Sequence, residues 1–99
     1  MTKRLTLAAL ALAALPLTAS ADDVPRYDVE SYCQDVSDMA GGSNSIFNSC
    51  IDMEQDAYNE LKSRWSGLSA RTRSYCDEIG QTAGESYSIM NSCVDMETE

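Results

Sequence analysis

Residues 32–54 read YCQDVSDMAGGSNSIFNSCIDME, and residues 75–97 read YCDEIGQTAGESYSIMNSCVDME. The two stretches lie 43 residues apart and are identical at 13 of 23 aligned positions, including both cysteines of each copy. A repeat of that density in a 99-residue chain fixes an architecture, one structural unit built twice.

The unit is helical. Val29, Tyr32, Cys33, Val36, Met39 and Ala40 follow the i, i+3, i+4, i+7 spacing of an amphipathic helix rather than the alternation of a strand. Gly41-Gly42 breaks that helix, and Ser43 is placed to cap the next. Ile46, Phe47, Cys50, Met53, Ala57, Tyr58, Leu61 and Trp65 continue one stripe, predicting a long second helix that stops at Ser66-Gly67. Ser69 caps a third helix bearing Tyr75, Cys76, Ile79, Thr82 and Ala83, and Gly84 ends it. Ser86 caps a fourth with Ile89, Met90, Cys93 and Met96. The expected fold is all-α: two tandem antiparallel hairpins, over about residues 28–66 and 69–99, forming a small irregular four-helix bundle.

Cysteine spacing bears on the same point. Cys33 and Cys50 are equidistant from the centre of Gly41-Gly42, and Cys76 and Cys93 from the centre of Gly84-Glu85. Residues symmetric about the turn of an antiparallel hairpin face one another, so the expected disulfides are Cys33–Cys50 and Cys76–Cys93, out of three possible connectivities. A zinc site is the competing use of four cysteines. It is disfavoured by the lack of histidine and of any C-x-x-C pair.

The first 21 residues read as an export signal. Lys3 and Arg4 precede an apolar run over residues 5–17, and Ala19-Ser20-Ala21 matches an A-x-A cleavage site. The run is shorter than the roughly 20 residues of a membrane span. Residues 22–99 would then form one small domain in the periplasm or outside the cell, where disulfides persist. Of seven basic residues two fall in the leader, leaving five against sixteen acids and a net charge of −11. That balance disfavours nucleic acid, whose phosphates need clustered Lys and Arg. It points instead to a basic protein partner.

Composition also limits chemistry. Without histidine, Ser-His-Asp and Cys-His catalysis are excluded, and stapled cysteines are not nucleophiles. The expectation is a non-enzyme with no cofactor and no metal. Asp52, Glu54, Asp95 and Glu97 read as solvated helix faces, and Met53 and Met96 as core positions. One feature favours contact with a partner. Lys62, Arg64, Arg71 and Arg73 fall within 12 residues that hold no acid, and Trp65, the sole tryptophan of the sequence, sits among them. Arg and Trp dominate interface hot spots, so these five residues are the candidate binding site. Trp65 also follows the apolar stripe, which would place it in the core. Tyr58, Tyr75 and Tyr87 are weaker candidates, with Tyr87 replacing Asn44 beside the turn.

The order Cys50, then Asp56-Ala57-Tyr58-Asn59-Glu60-Leu61, then Trp65, Arg71 or Arg73, and Cys76 resembles the LprI-type lysozyme-inhibitor domain. The likeness covers about 27 of 78 residues after the leader, with a shorter spacer between Leu61 and Cys76. The resemblance implies an exported helical domain, inhibition of a cell-wall hydrolase, and cysteine pairing across the join of the repeats. The leading expectation is a small exported protein-binding module. Inhibition of a basic hydrolase such as lysozyme and carriage of a divalent cation or small ligand are the alternatives.

Overall fold

The computed structural model describes residues 23–99, so the expected leader lies outside the described residues. Among these, four α-helices follow one another: α1 (Val29–Met39), α2 (Asn44–Arg64), α3 (Ala70–Thr82) and α4 (Tyr87–Thr98). A 3-10 turn, Trp65–Gly67, links α2 towards α3. The chain is an all-α bundle without strands among the described residues.

Each helix begins where a short polar side chain can satisfy its free N–H groups. Asp28, Ser43, Ser69 and Ser86 accept from Ser31, Ile46, Thr72 and Ile89 respectively, a bond whose loss costs about 1 kcal/mol in typical caps. The two hairpin turns need a left-handed backbone. Gly41 and Gly42 take φ of 97° and 79°, and Gly84 takes 98°. Glu85, which stands where the first copy has Gly42, takes φ of 73° with a side chain attached. Its carboxylate Oε1 accepts from the Asp28 N–H at 3.0 Å, a contact that holds this turn against α1.

Disulfides close each hairpin, Cys33–Cys50 with Cα atoms 5.6 Å apart and Cys76–Cys93 with 5.5 Å. The pairing is the symmetric one, not the pairing across the join that the family resemblance implied. Each hairpin packs on itself, and α2 packs on α4. The bonds from Glu54 to Tyr87 and from Arg64 to Asp95 show α2 and α4 running parallel. The buried cluster lies along that contact: Ala57, Leu61 and Trp65 meet Cys76, Tyr87, Met90, Cys93 and Val94. All of its members come from residue 57 onward. Residues 44–53 of α2 precede the level at which α4 begins, so the first hairpin runs about 15 Å beyond the second at 1.5 Å per residue.

A strap leading into α1 completes the bundle. The Tyr87 hydroxyl donates to the Pro25 carbonyl (2.7 Å) and accepts from the Tyr27 N–H (2.9 Å). The Tyr27 hydroxyl donates to Asp77 Oδ1 at 2.7 Å. The two rings stack with centroids 4.6 Å apart, and Tyr58 meets Tyr87 edge-on at 5.0 Å. The strap thus carries the start of the first hairpin onto the second.

Candidate binding surfaces

The basic join is taken apart by the fold. Trp65 is 3% exposed and belongs to the core, because it continues the buried stripe of α2 with Ala57 and Leu61. Trp65 thus lies where the apolar stripe, the second of its two sequence readings, would place it. Its Nε1 is buried without a hydrogen-bond acceptor among the described residues. Arg64 is a clasp between hairpins: its guanidinium meets Asp95 at 2.7 Å, Asn91 and Thr98 at 3.3 Å and Glu60 at 3.7 Å. Lys62 and Arg71 are exposed and Arg73 is half-buried. What remains of the predicted site is two exposed cations at one end of the molecule.

Glu54 is the residue that sequence reasoning misplaced most. Expected on a solvated face, it is 2% exposed and lies against the N-terminus of α4. Its carboxylate accepts from Ser86 Oγ (2.8 Å), Ser88 Oγ (2.7 Å) and the Tyr87 N–H (2.5 Å). A carboxylate fits there because a helix N-terminus presents unpaired N–H groups and the positive end of the helix dipole. The donors belong to the other hairpin, so Glu54 is also a cross-repeat lock. Glu97, its copy, is exposed. The signal available in the sequence was the position of Glu54 on the same stripe as Ala57, Leu61 and Trp65.

Tyr87 is likewise no rim residue. It is 7% exposed, and burial raises its phenol above the ordinary value. Tyr27 is raised further, first by burial and then by its bond to the Asp77 carboxylate and that group's charge. Beside these rings a groove of about 230 Å³ is lined by Arg26, Val29, Ile51, Glu54, Gln55, Tyr58 and Tyr87. Glu54 accepts hydrogen bonds from within the protein, and the groove lining is a mixture of polar and apolar groups. Arg26 forms no ion pair or hydrogen bond with another described residue.

Several apolar side chains are exposed, at least one on each helix. Met53 and Met96, expected in the core, are 61% and 69% exposed, and Met39 is 87% exposed. The apolar stripe misled because α1 and α4 contact α2 through Cys50, Ala57 and Leu61, one flank of that stripe, and leave the Met53 flank to solvent. Tyr75 stands 48% exposed on α3. Among the described residues no three His, Cys, Asp or Glu side chains gather where they could hold a metal ion, and no helix is long and apolar enough to cross a membrane. No family model matches this chain, and neither a curated protein nor a solved structure is found to be similar to it.

Proposed function

We propose that this protein is a small exported binding module whose partner is another protein of the cell envelope or the extracellular medium. Its two disulfides suit an oxidising compartment, since such bonds form and persist there. The observation that carries the reading is the set of exposed apolar side chains on a stapled helical scaffold. Met39, Met53, Met96 and Tyr75 stand out from helices that are stapled, capped and locked across the hairpins by Glu54, Arg64 and the strap. Helices ordered before binding lose little backbone entropy when a partner covers them. Net charge steers the encounter: a basic partner approaches faster, and more so at low salt.

The test is retention of an envelope protein on immobilised, oxidised residues 22–99, competed by free protein and repeated from 20 to 500 mM salt. One saturable partner with a slower approach at high salt supports the module. A column that retains nothing above background removes it. Including cationic lysozymes among the analytes separates the inhibitor alternative, which also requires loss of lytic activity in a turbidity assay.

A further inference from the structure

The two copies diverge where their surroundings differ and agree at several exposed positions. Positions at least partly buried in both copies differ: Val36 against Ile79, Ser37 against Gly80, Phe47 against Met90, and Ile51 against Val94. Several identities have a structural cause. The cysteines are staples, Ser43 and Ser86 are N-caps, and Gly41 and Gly84 carry positive φ. Ile46-x-x-Ser49-x-x-x-Met53, which recurs unchanged as Ile89-x-x-Ser92-x-x-x-Met96, is among the identities without such a cause.

Ser49 and Ser92 are exposed in both copies and form no hydrogen bond through their side chains with a described residue. Met53 and Met96 stand in solvent, Ile46 is 36% exposed and Ile89 half-buried. Offsets of three and seven put the three residues on one face of the helix. Three residues beyond each methionine stands an exposed carboxylate, Asp56 on the same face of α2 and Glu99 just past the end of α4. Single exposed methionines are commonplace. The same trio on both α2 and α4, with its serine and methionine exposed in each copy and an acid at the same offset, is not.

We infer that the Ile46–Ser49–Met53 face of α2 and the Ile89–Ser92–Met96 face of α4 are two equivalent docking sites, each taking a basic amphipathic helix of the partner. The inference rests on the binding-module reading and names its contact. Chemistry selects the occupant. An Ile and a Met one helical repeat apart receive an apolar stripe, the serine between them lets a backbone approach closely, and Asp56 or Glu99 meets a Lys or Arg one turn further on. A second copy is a poor occupant, because its own net charge of −11 after loss of the leader opposes approach. Thioether side chains suit such a face, being flexible enough to fit more than one apolar surface.

The experiment uses oxidised residues 22–99 and an amidated 18-residue leucine–lysine peptide patterned as an amphipathic helix, titrated by calorimetry. Two peptides should bind per chain. Met53→Ser and Met96→Ser should each reduce that to one, and the double variant should weaken the remaining binding at least tenfold while helicity is unchanged. Asp56→Asn should weaken one site and steepen nothing else. A stoichiometry of one, no binding, or equal binding by the double serine variant overturns the inference. Equal binding of a lysine peptide without leucine also overturns it, since bare charge then suffices. A dimer of the free protein that Met53→Ser dissolves would assign the face to a second copy and overturn it too. The two readings fail separately. An envelope partner held equally by wild type and the double serine variant sinks the docking faces but not the module, whereas wild type holding no partner sinks the module.

Discussion

Gly80 shows how much of this fold turns on single atoms. A Cβ built there would lie 2.5 Å from the Tyr27 hydroxyl oxygen and 3.1 Å from Met90 Cβ. The hydroxyl cannot swing aside freely, because it is bound to Asp77. Gly80→Ala should therefore destabilise by about 1–3 kcal/mol, the usual range for overpacking, as read by urea unfolding. Combining it with Tyr27→Phe should recover part of that loss, giving a non-zero coupling in the double-mutant cycle. Tyr27 and Tyr87 also predict an alkaline limit. Both phenols are raised in the folded state, so the stability they confer is complete below the ordinary tyrosine value of 10 and is lost as pH rises above it. Urea midpoints measured from pH 8 to 12 should fall beyond pH 10, and less steeply in Tyr27→Phe. None of this was legible in the sequence: Tyr27 lies outside the repeat, and nothing local says that a strap residue will meet Gly80 some fifty positions later.

At the scale of elements, the helices were legible and their faces only partly so. Periodicity, three serine caps and the turn glycines placed α1 to α4, because these signals are local. Which flank of a stripe becomes core depends on where a distant element packs. Trp65, Ala57 and Leu61 went inward with Glu54 beside them, while Met53, on the other flank, stayed in solvent. Arg64 reads locally as a cation favouring the C-terminus of α2, yet it spends its guanidinium on Asp95 and Asn91 of α4. Glu54→Gln tests the less obvious of these two locks. The amide keeps the size but loses the charge and turns donor hydrogens towards Ser86, Ser88 or the Tyr87 N–H. The expected loss is about 1–3 kcal/mol, larger than for Arg64→Ala, whose main ion pair is partly exposed and worth about 0.2–1 kcal/mol. Paired urea titrations of the two variants check the order.

For the whole molecule, the duplication is symmetric in sequence and asymmetric in stability. Both staples close loops of the same length, with cysteines 17 residues apart, so chain entropy assigns each about 3 kcal/mol. Their surroundings differ. Cys76 and Cys93 belong to the buried cluster with Leu61, Met90 and Val94, whereas Cys33 and Cys50 sit outside it in the hairpin that runs past α4. Around the first staple, Phe47 and Ile51 are half-exposed where their copies Met90 and Val94 are fully buried. Asn44 has taken the place of Tyr87 because no strap or third helix covers it. Replacing Cys33 and Cys50 by serine should consequently release α1 and residues 44–53 while the remaining core stays folded. Replacing Cys76 and Cys93 should instead lower the cooperative transition of the whole chain. Hydrogen exchange read by mass spectrometry distinguishes these outcomes. In the first variant fast exchange should be confined to about residues 29–53, with the Trp65 environment unchanged in fluorescence. In the second, protection should fall along α2, α3 and α4 together. Equal, global loss in both variants would mean that the first hairpin owes its order to the common core rather than to its own staple.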